Sequence, residues 1–118
     1  MKSFLFVLEA PAYSGSDTQE TLDVILITAA FDQEVSVLLL GEAIYHLKKQ
    51  QNTKDKHCKN IGSIYRSLDL YDVENIFIQQ SALSDFGLTT EDLLLPVSVC
   101  NQQEIVALMS QFDFVVNG

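Results

Sequence analysis

Tyr71 to Leu88 reads YDVENIFIQQSALSDFGL, and the fold follows from this stretch. A short helix end leads into the apolar run Ile76–Ile78, which reads as the core of a buried strand. A turn of small and polar residues then opens a short helix, Ala82 to Phe86, which Gly87 can close in the left-handed conformation. A strand feeding directly into a helix is the repeating unit of an open α/β domain. The turn after the strand's carboxyl end is where such domains place ligands and nucleophiles. A nucleophile there would be Cys, Ser or Asp, but this chain has Gln79, Gln80 and Ser81. The scaffold is that of a reaction domain with a carboxamide at the reactive position, which favours a supporting subunit over an independent enzyme.

The same alternation extends in both directions. Ser3–Leu8 is an apolar strand, and Glu9 to Ser16 is a loop marked by Pro11 and Gly15. Overlapping capping signals, Ser16 with Gln19 and Asp17 with Glu20, open a helix. Its core stripe is Leu22, Ile25, Leu26, Ala29 and Ala30. A second stripe, Val24, Ile27 and Phe31, widens the apolar face beyond one side. Either a loop or another subunit must cover it. Val35–Leu40 is the second strand, with Gly41 at its exit, and Glu42–Lys48 allows one or two helical turns. The polar, aperiodic segment 49–59 reads as a flexible loop. Ile61, Ile64, Tyr65 and Leu68 form a further helical stripe. Downstream, Thr89–Leu95 allows a turn and Val97–Val99 is a fourth strand. Asn101 and Glu104 cap a helix that aligns Ile105, Leu108, Met109 and Phe112. Phe114–Val116 is a terminal strand. Strands alternating with helices imply parallel β-α-β units with right-handed crossovers. Apolar strands suit a sheet covered on both faces. The expected architecture is a three-layer α/β/α sandwich around a mostly parallel five-stranded sheet.

With 118 residues the chain is expected to form one domain, spanning 1–118. Met1–Leu8 is too short for a signal peptide and is followed by Glu9 and Pro11. No apolar run approaches the roughly 18 residues that span a bilayer. A cytoplasmic protein is expected, with Cys58 and Cys100 as free thiols. The net charge of −9 works against direct binding to a nucleic-acid backbone. Six of the seven Lys and Arg residues nevertheless fall between Lys48 and Arg66, with Asp55 as the only acid there. That cluster is either a solvated loop or a landing site for an acidic partner or RNA, with Lys54, Lys56 and Lys59 as its candidate docking residues.

Two thiols are candidates for chemistry. Cys58 lies among Lys54, Lys56, His57 and Lys59, whose charges would favour a thiolate. The alternative is an incidental surface cysteine. Cys100 ends the fourth strand beside the Asn101 cap, where a helix N-terminus also favours a thiolate. The alternative there is a small buried hydrophobe. No metal ligand set is recognisable among His46, His57 and Cys58. Pro11–Ser16 lacks the glycines of a phosphate loop, so no cofactor is expected, and no serine sits in a GxSxG elbow.

In order and spacing, these segments resemble a known family. The opening strand, Pro11-Ala12-Tyr13 with Gly15, and the helix after them resemble the start of the DsrE/DsrF/DsrH family. Tyr71-Asp72-Val73-Glu74, the third strand, and Ser81-Ala82-Leu83 through Gly87-Leu88 resemble its DsrF/TusC branch, as does the terminal FDFVV of Phe112–Val116. The likeness runs nearly end to end. It implies a small α/β subunit of a sulfur relay that passes sulfur as a cysteine persulfide. It also implies TusB-like and TusD-like partners in a heterohexamer, in support of 2-thiolation of the tRNA wobble uridine. A DsrF-like role in sulfur oxidation is the alternative within the branch. In the TusD/DsrE branch the sulfur acceptor ends the third strand, a position that corresponds here to Gln79. The resemblance therefore implies a non-catalytic subunit. A persulfide carrier using Cys100 or Cys58 and a stand-alone ligand-binding module are the competing readings. The loop residues Pro11, Ala12, Tyr13, Gly15, Gln79, Gln80 and Ser81 are expected at the rim formed by the strand carboxyl ends.

Overall fold

The structure, a computed structural model, describes residues 2–9, 17–31, 33–47, 65–71, 73, 75–93 and 96–117. The side chains of residues 17–19, 45, 46 and 69 are outside that description. The strands are β1 (Ser3–Leu8), β2 (Glu34–Leu39), β3 (Asn75–Gln79), β4 (Ser98–Cys100) and β5 (Phe114–Asn117). The helices are α1 (Asp17–Ala30), α2 (65–68), α3 (Gln80–Asp85) and α4 (Gln102–Met109). Short 3-10 turns occupy Gly41–Leu47, Asp69–Tyr71 and Thr90–Asp92.

All five strands join one sheet in the order β4-β3-β2-β1-β5, and each neighbouring pair is parallel. The chain steps from β1 to β4 in one direction and then returns to the free side of β1. Right-handed crossovers then put the first three connections on one face of the sheet and the last on the other. The core divides in that way. On one face, Phe6, Leu8, Val35, Val37, Leu39, Ile76 and Ile78 pack with Leu22, Ile25 and Ala29 of α1, Tyr65 and Leu68 of α2, and Ala82 of α3. On the other, Leu5, Val7, Leu38 and Cys100 are covered by Ile105 and Leu108 of α4. The period of two along each strand sends alternate side chains to the two clusters.

The local stop signals work as the sequence predicts. Gly87 has φ +65°, and the amides of Gly87 and Leu88 donate to the carbonyls of Ser84 and Leu83 at 3.3 and 2.8 Å. This paired bonding closes α3 as a Schellman motif. At α4, Glu104 N donates to Asn101 Oδ1 at 2.9 Å and Asn101 N donates to Glu104 Oε1 at 3.1 Å. Those two bonds make the capping box. Thr89 and Asp92 form a second box, which the sequence did not single out.

Two expectations about burial need correction. Ala30 is exposed rather than part of the core stripe of α1, because it lies about 80° around the helix from Leu22. Coverage of both sheet faces holds for the centre of the sheet but fails at β5, where every residue is exposed. Among the described residues a single helix covers the second face, and β5 has a neighbour on only one side.

Beyond that neighbour, the β5 edge is held by a clamp at its start. Ser3 N and Ser3 Oγ donate to Asp113 Oδ2 at 2.9 and 3.2 Å, and Asp113 N donates to Ser3 Oγ at 3.0 Å. The ring of Phe114 stacks on Phe4 with centroids 5.0 Å apart. The bonds from the Ser3 backbone and then its hydroxyl hold the Asp113 carboxyl below its ordinary pKa. A depressed carboxylate stabilises the fold above its unfolded-state pKa, and that contribution is lost as pH falls through the folded-state value. Asp113→Asn should therefore lower Tm at neutral pH, with the gap from wild type closing in acid. Melting curves recorded from neutral to acidic pH test this, and a gap that widens in acid would contradict it.

Candidate functional site

Because all strands are parallel, their carboxyl ends form a single rim. Leu8 and Glu9 follow from β1, Leu40 and Gly41 from β2, Gln79 from β3, Cys100 from β4 and Asn117 from β5. Gln79 ends β3 and α3 begins at Gln80, two residues before the expected start at Ala82, so the strand runs into the helix with no separate turn. Gln80 and Ser81 are exposed in the first turn of α3. Pro11, Ala12, Tyr13, Gly15, Lys54, Lys56, Cys58 and Lys59 lie outside the described residues, as does the loop expected at 49–59.

The Gln79 side chain already has a hydrogen-bonding role. Its Oε1 accepts from the Gly41 backbone N–H at 3.0 Å, joining the exits of β3 and β2 across 38 residues of sequence. Gly41 sits at φ +54°, a conformation that glycine adopts without steric cost. The bond is partly buried, so losing the acceptor would leave a backbone donor short of a partner. Gln79→Ala should cost about 1 kcal/mol, measured by urea unfolding, and an unchanged midpoint would show that water replaces the side chain fully.

The structure brings Gln79 and Cys100 together, which the sequence could not do without the strand order. They are register partners in the β3–β4 pair, on strands about 4.8 Å apart. Both follow the alternation towards the α4 side, where Cys100 packs with Leu5, Val7, Leu38, Ile105 and Leu108. Cys100 is only 7% exposed. Burial pushes its thiol pKa up, and the nearby Glu104 carboxylate pushes it further. Of the two sequence readings, a thiolate at the helix N-terminus and a small buried hydrophobe, the surroundings favour the second, because α4 brings its own acid and an apolar lid. Cys100 Sγ lies 4.0 Å from the Ser98 carbonyl, at the outer limit of a weak bond. Among the described residues, no three His, Cys, Asp or Glu side chains are grouped to hold a metal. No helix of the described residues is long and apolar enough to cross a membrane.

Several large apolar side chains are also exposed. Val24, Ile27 and Phe31 project from the outer side of α1, Leu70 and Tyr71 from a 3-10 turn, Val106 from α4, and Phe114, Val115 and Val116 from β5. The sequence had flagged the α1 stripe through its width. Leu70, Tyr71 and Val106 carried no such signal, since a lone apolar residue near a turn or helix end is common on surfaces.

The fold and rim define a class: a parallel α/β sandwich whose third strand ends on a glutamine in structural use beside a sheltered cysteine. The chain belongs to the DsrE/DsrF-like family, which matches residues 2–117. It is 38% identical over 94 residues to the intracellular sulfur oxidation protein DsrF of Allochromatium vinosum, covering 80% of this chain and 69% of that protein. It is 32% identical over 99 residues to a TusC homolog of Vibrio vulnificus strain YJ016, covering 84% of each. The crystal structure of the ychN protein from E. coli matches with a TM-score of 0.79 over 100% of both chains. At 15% identity that likeness speaks for the fold alone. These relatives agree with the DsrF/TusC branch to which the sequence motifs pointed.

Proposed function

We propose that this chain is a TusC-like, non-catalytic subunit of a sulfur-relay complex supporting 2-thiolation of the tRNA wobble uridine. It would act in the cytoplasm, in a heterohexamer with TusB-like and TusD-like subunits. The observation that carries this reading is the state of the rim. Relay of a persulfide requires a thiolate to attack the outer sulfur of a donor persulfide, forming a new S–S bond as the donor thiolate leaves. A carboxamide can do neither step, and Gln79 stands where the resemblance expects the acceptor of a carrier branch. Among the described residues the thiol beside it is Cys100, which is buried and disfavoured as a thiolate. The TusC homologs among its relatives support the thiolation setting.

The identity to DsrF favours a second reading, in which the same supporting role serves sulfur oxidation. Deleting the gene in its own cells and measuring 2-thiouridine in hydrolysed tRNA distinguishes the two. On the thiolation reading, the modified nucleoside is lost on deletion and restored by a Cys58→Ser/Cys100→Ser chain. Unchanged 2-thiouridine would overturn the thiolation reading, and failure of the cysteine-free chain to restore it would overturn the non-catalytic role.

A further inference from the structure

The outer side of α1 is the least explained surface of the fold. Val24, Ile27 and Phe31 are 49, 57 and 73% exposed, opposite the side on which Leu22, Ile25 and Ala29 enter the core. Their spacing of three then four residues is that of a helix–helix seam. The seam is flanked by exposed acids, Glu20 and Asp23, and α1 has no basic residue in its last turn. The 3-10 turn Asp69–Tyr71 touches α1 and adds Leu70 and Tyr71 to the exposed apolar surface.

We infer that this seam docks one helix of a different subunit, apolar along its centre and carrying Lys or Arg where it passes Glu20 and Asp23. The charge pattern selects that occupant over a second copy of the chain. In an antiparallel self-pairing centred on Ile27, Glu20 would lie at the carboxyl end of the other α1, which closes at Ala30. The helix dipole is negative there, so the two would repel. Each copy also carries a net charge of −9, which opposes self-association. A partner helix with cations at its edges would meet the same acids with attraction. This inference rests on the relay-subunit reading, since it takes the docking helix from one of the proposed partner subunits.

The test uses the full chain, titrated by analytical ultracentrifugation against the co-purified TusB-like and TusD-like subunits from the same organism. Ile27→Asp should weaken assembly about 10- to 100-fold, the effect of losing a central interface anchor. Glu20→Lys/Asp23→Lys alters only exposed positions and so preserves the fold, and it should also weaken assembly. Raising salt should weaken wild-type assembly by screening the flanking charges. Val106→Asp, on the exposed side of α4, should have no effect. Wild-type assembly that survives both α1 variants unchanged would overturn the seam while leaving the relay reading intact. Failure of the wild-type chain to assemble at all would overturn both. A wild-type homodimer that salt strengthens and Ile27→Asp dissociates would make the occupant a second copy and overturn the inference.

Discussion

Phe6→Ala is expected to destabilise the chain by about 3–5 kcal/mol. Phe6 lies on β1, which has β2 on one side and β5 on the other. Its side chain is buried in the larger cluster beneath the helices and stacks on Phe4 with centroids 6.3 Å apart. Truncation removes the transfer energy of the ring and leaves a cavity that the flanking strands cannot close without breaking their ladder. Small domains are stable by roughly 5–15 kcal/mol, so this one change removes a large share of the total. Urea unfolding of the isolated chain should show a much lower midpoint. A loss under about 1 kcal/mol, typical of a tolerated surface change, would mean that Phe6 is not the core residue described.

Ile105→Asp should act on the opposite face with a comparable effect, above about 4 kcal/mol. Ile105 and Leu108 are the buried residues through which α4 covers Leu5, Val7 and Leu38. A carboxylate at position 105 would enter an apolar cluster with Glu104 as its sequence neighbour. It would be desolvated there, which strongly disfavours its charged form. The change should also unmask Cys100. In a Cys58→Ser background, a disulfide reagent should react slowly with the folded wild-type chain, because the thiol is buried and disfavoured as a thiolate. The Ile105→Asp chain should react faster, since the lid is lost. Equal rates in the two chains would contradict the sheltering of Cys100 by α4.

Much of the fold was legible because its signals are local. The apolar run of β3, the Asn101–Glu104 pair and the glycine after α3 each act within a few residues, and each does in the structure what its pattern dictates. The rim turn was legible for the same reason, as a strand running straight into a helix. The strand order was not legible, because nothing local states that β5 returns beside β1. The pairing of Gln79 with Cys100 and the bond from Gly41 to Gln79 were therefore also out of reach, since both depend on which strands are neighbours. For Cys100 the sequence offered two readings, an activated thiolate and a small buried hydrophobe, and its burial agrees with the second. A helix N-terminus favours a thiolate, but the apolar lid and Glu104 of that same helix outweigh it. The breadth of the α1 stripe gave the opposite case, a sequence pattern richer than one core can bury, and the excess residues are the exposed ones.

On the proposed reading this subunit supports sulfur transfer without carrying sulfur itself. The decisive experiment is intact mass spectrometry of the assembled complex after loading with a persulfide donor. A one-sulfur mass increase is expected on a partner subunit and none on this chain, with Cys100 recovered unmodified. A one-sulfur increase on this chain that disappears with Cys100→Ser would contradict it and make Cys100 a carrier.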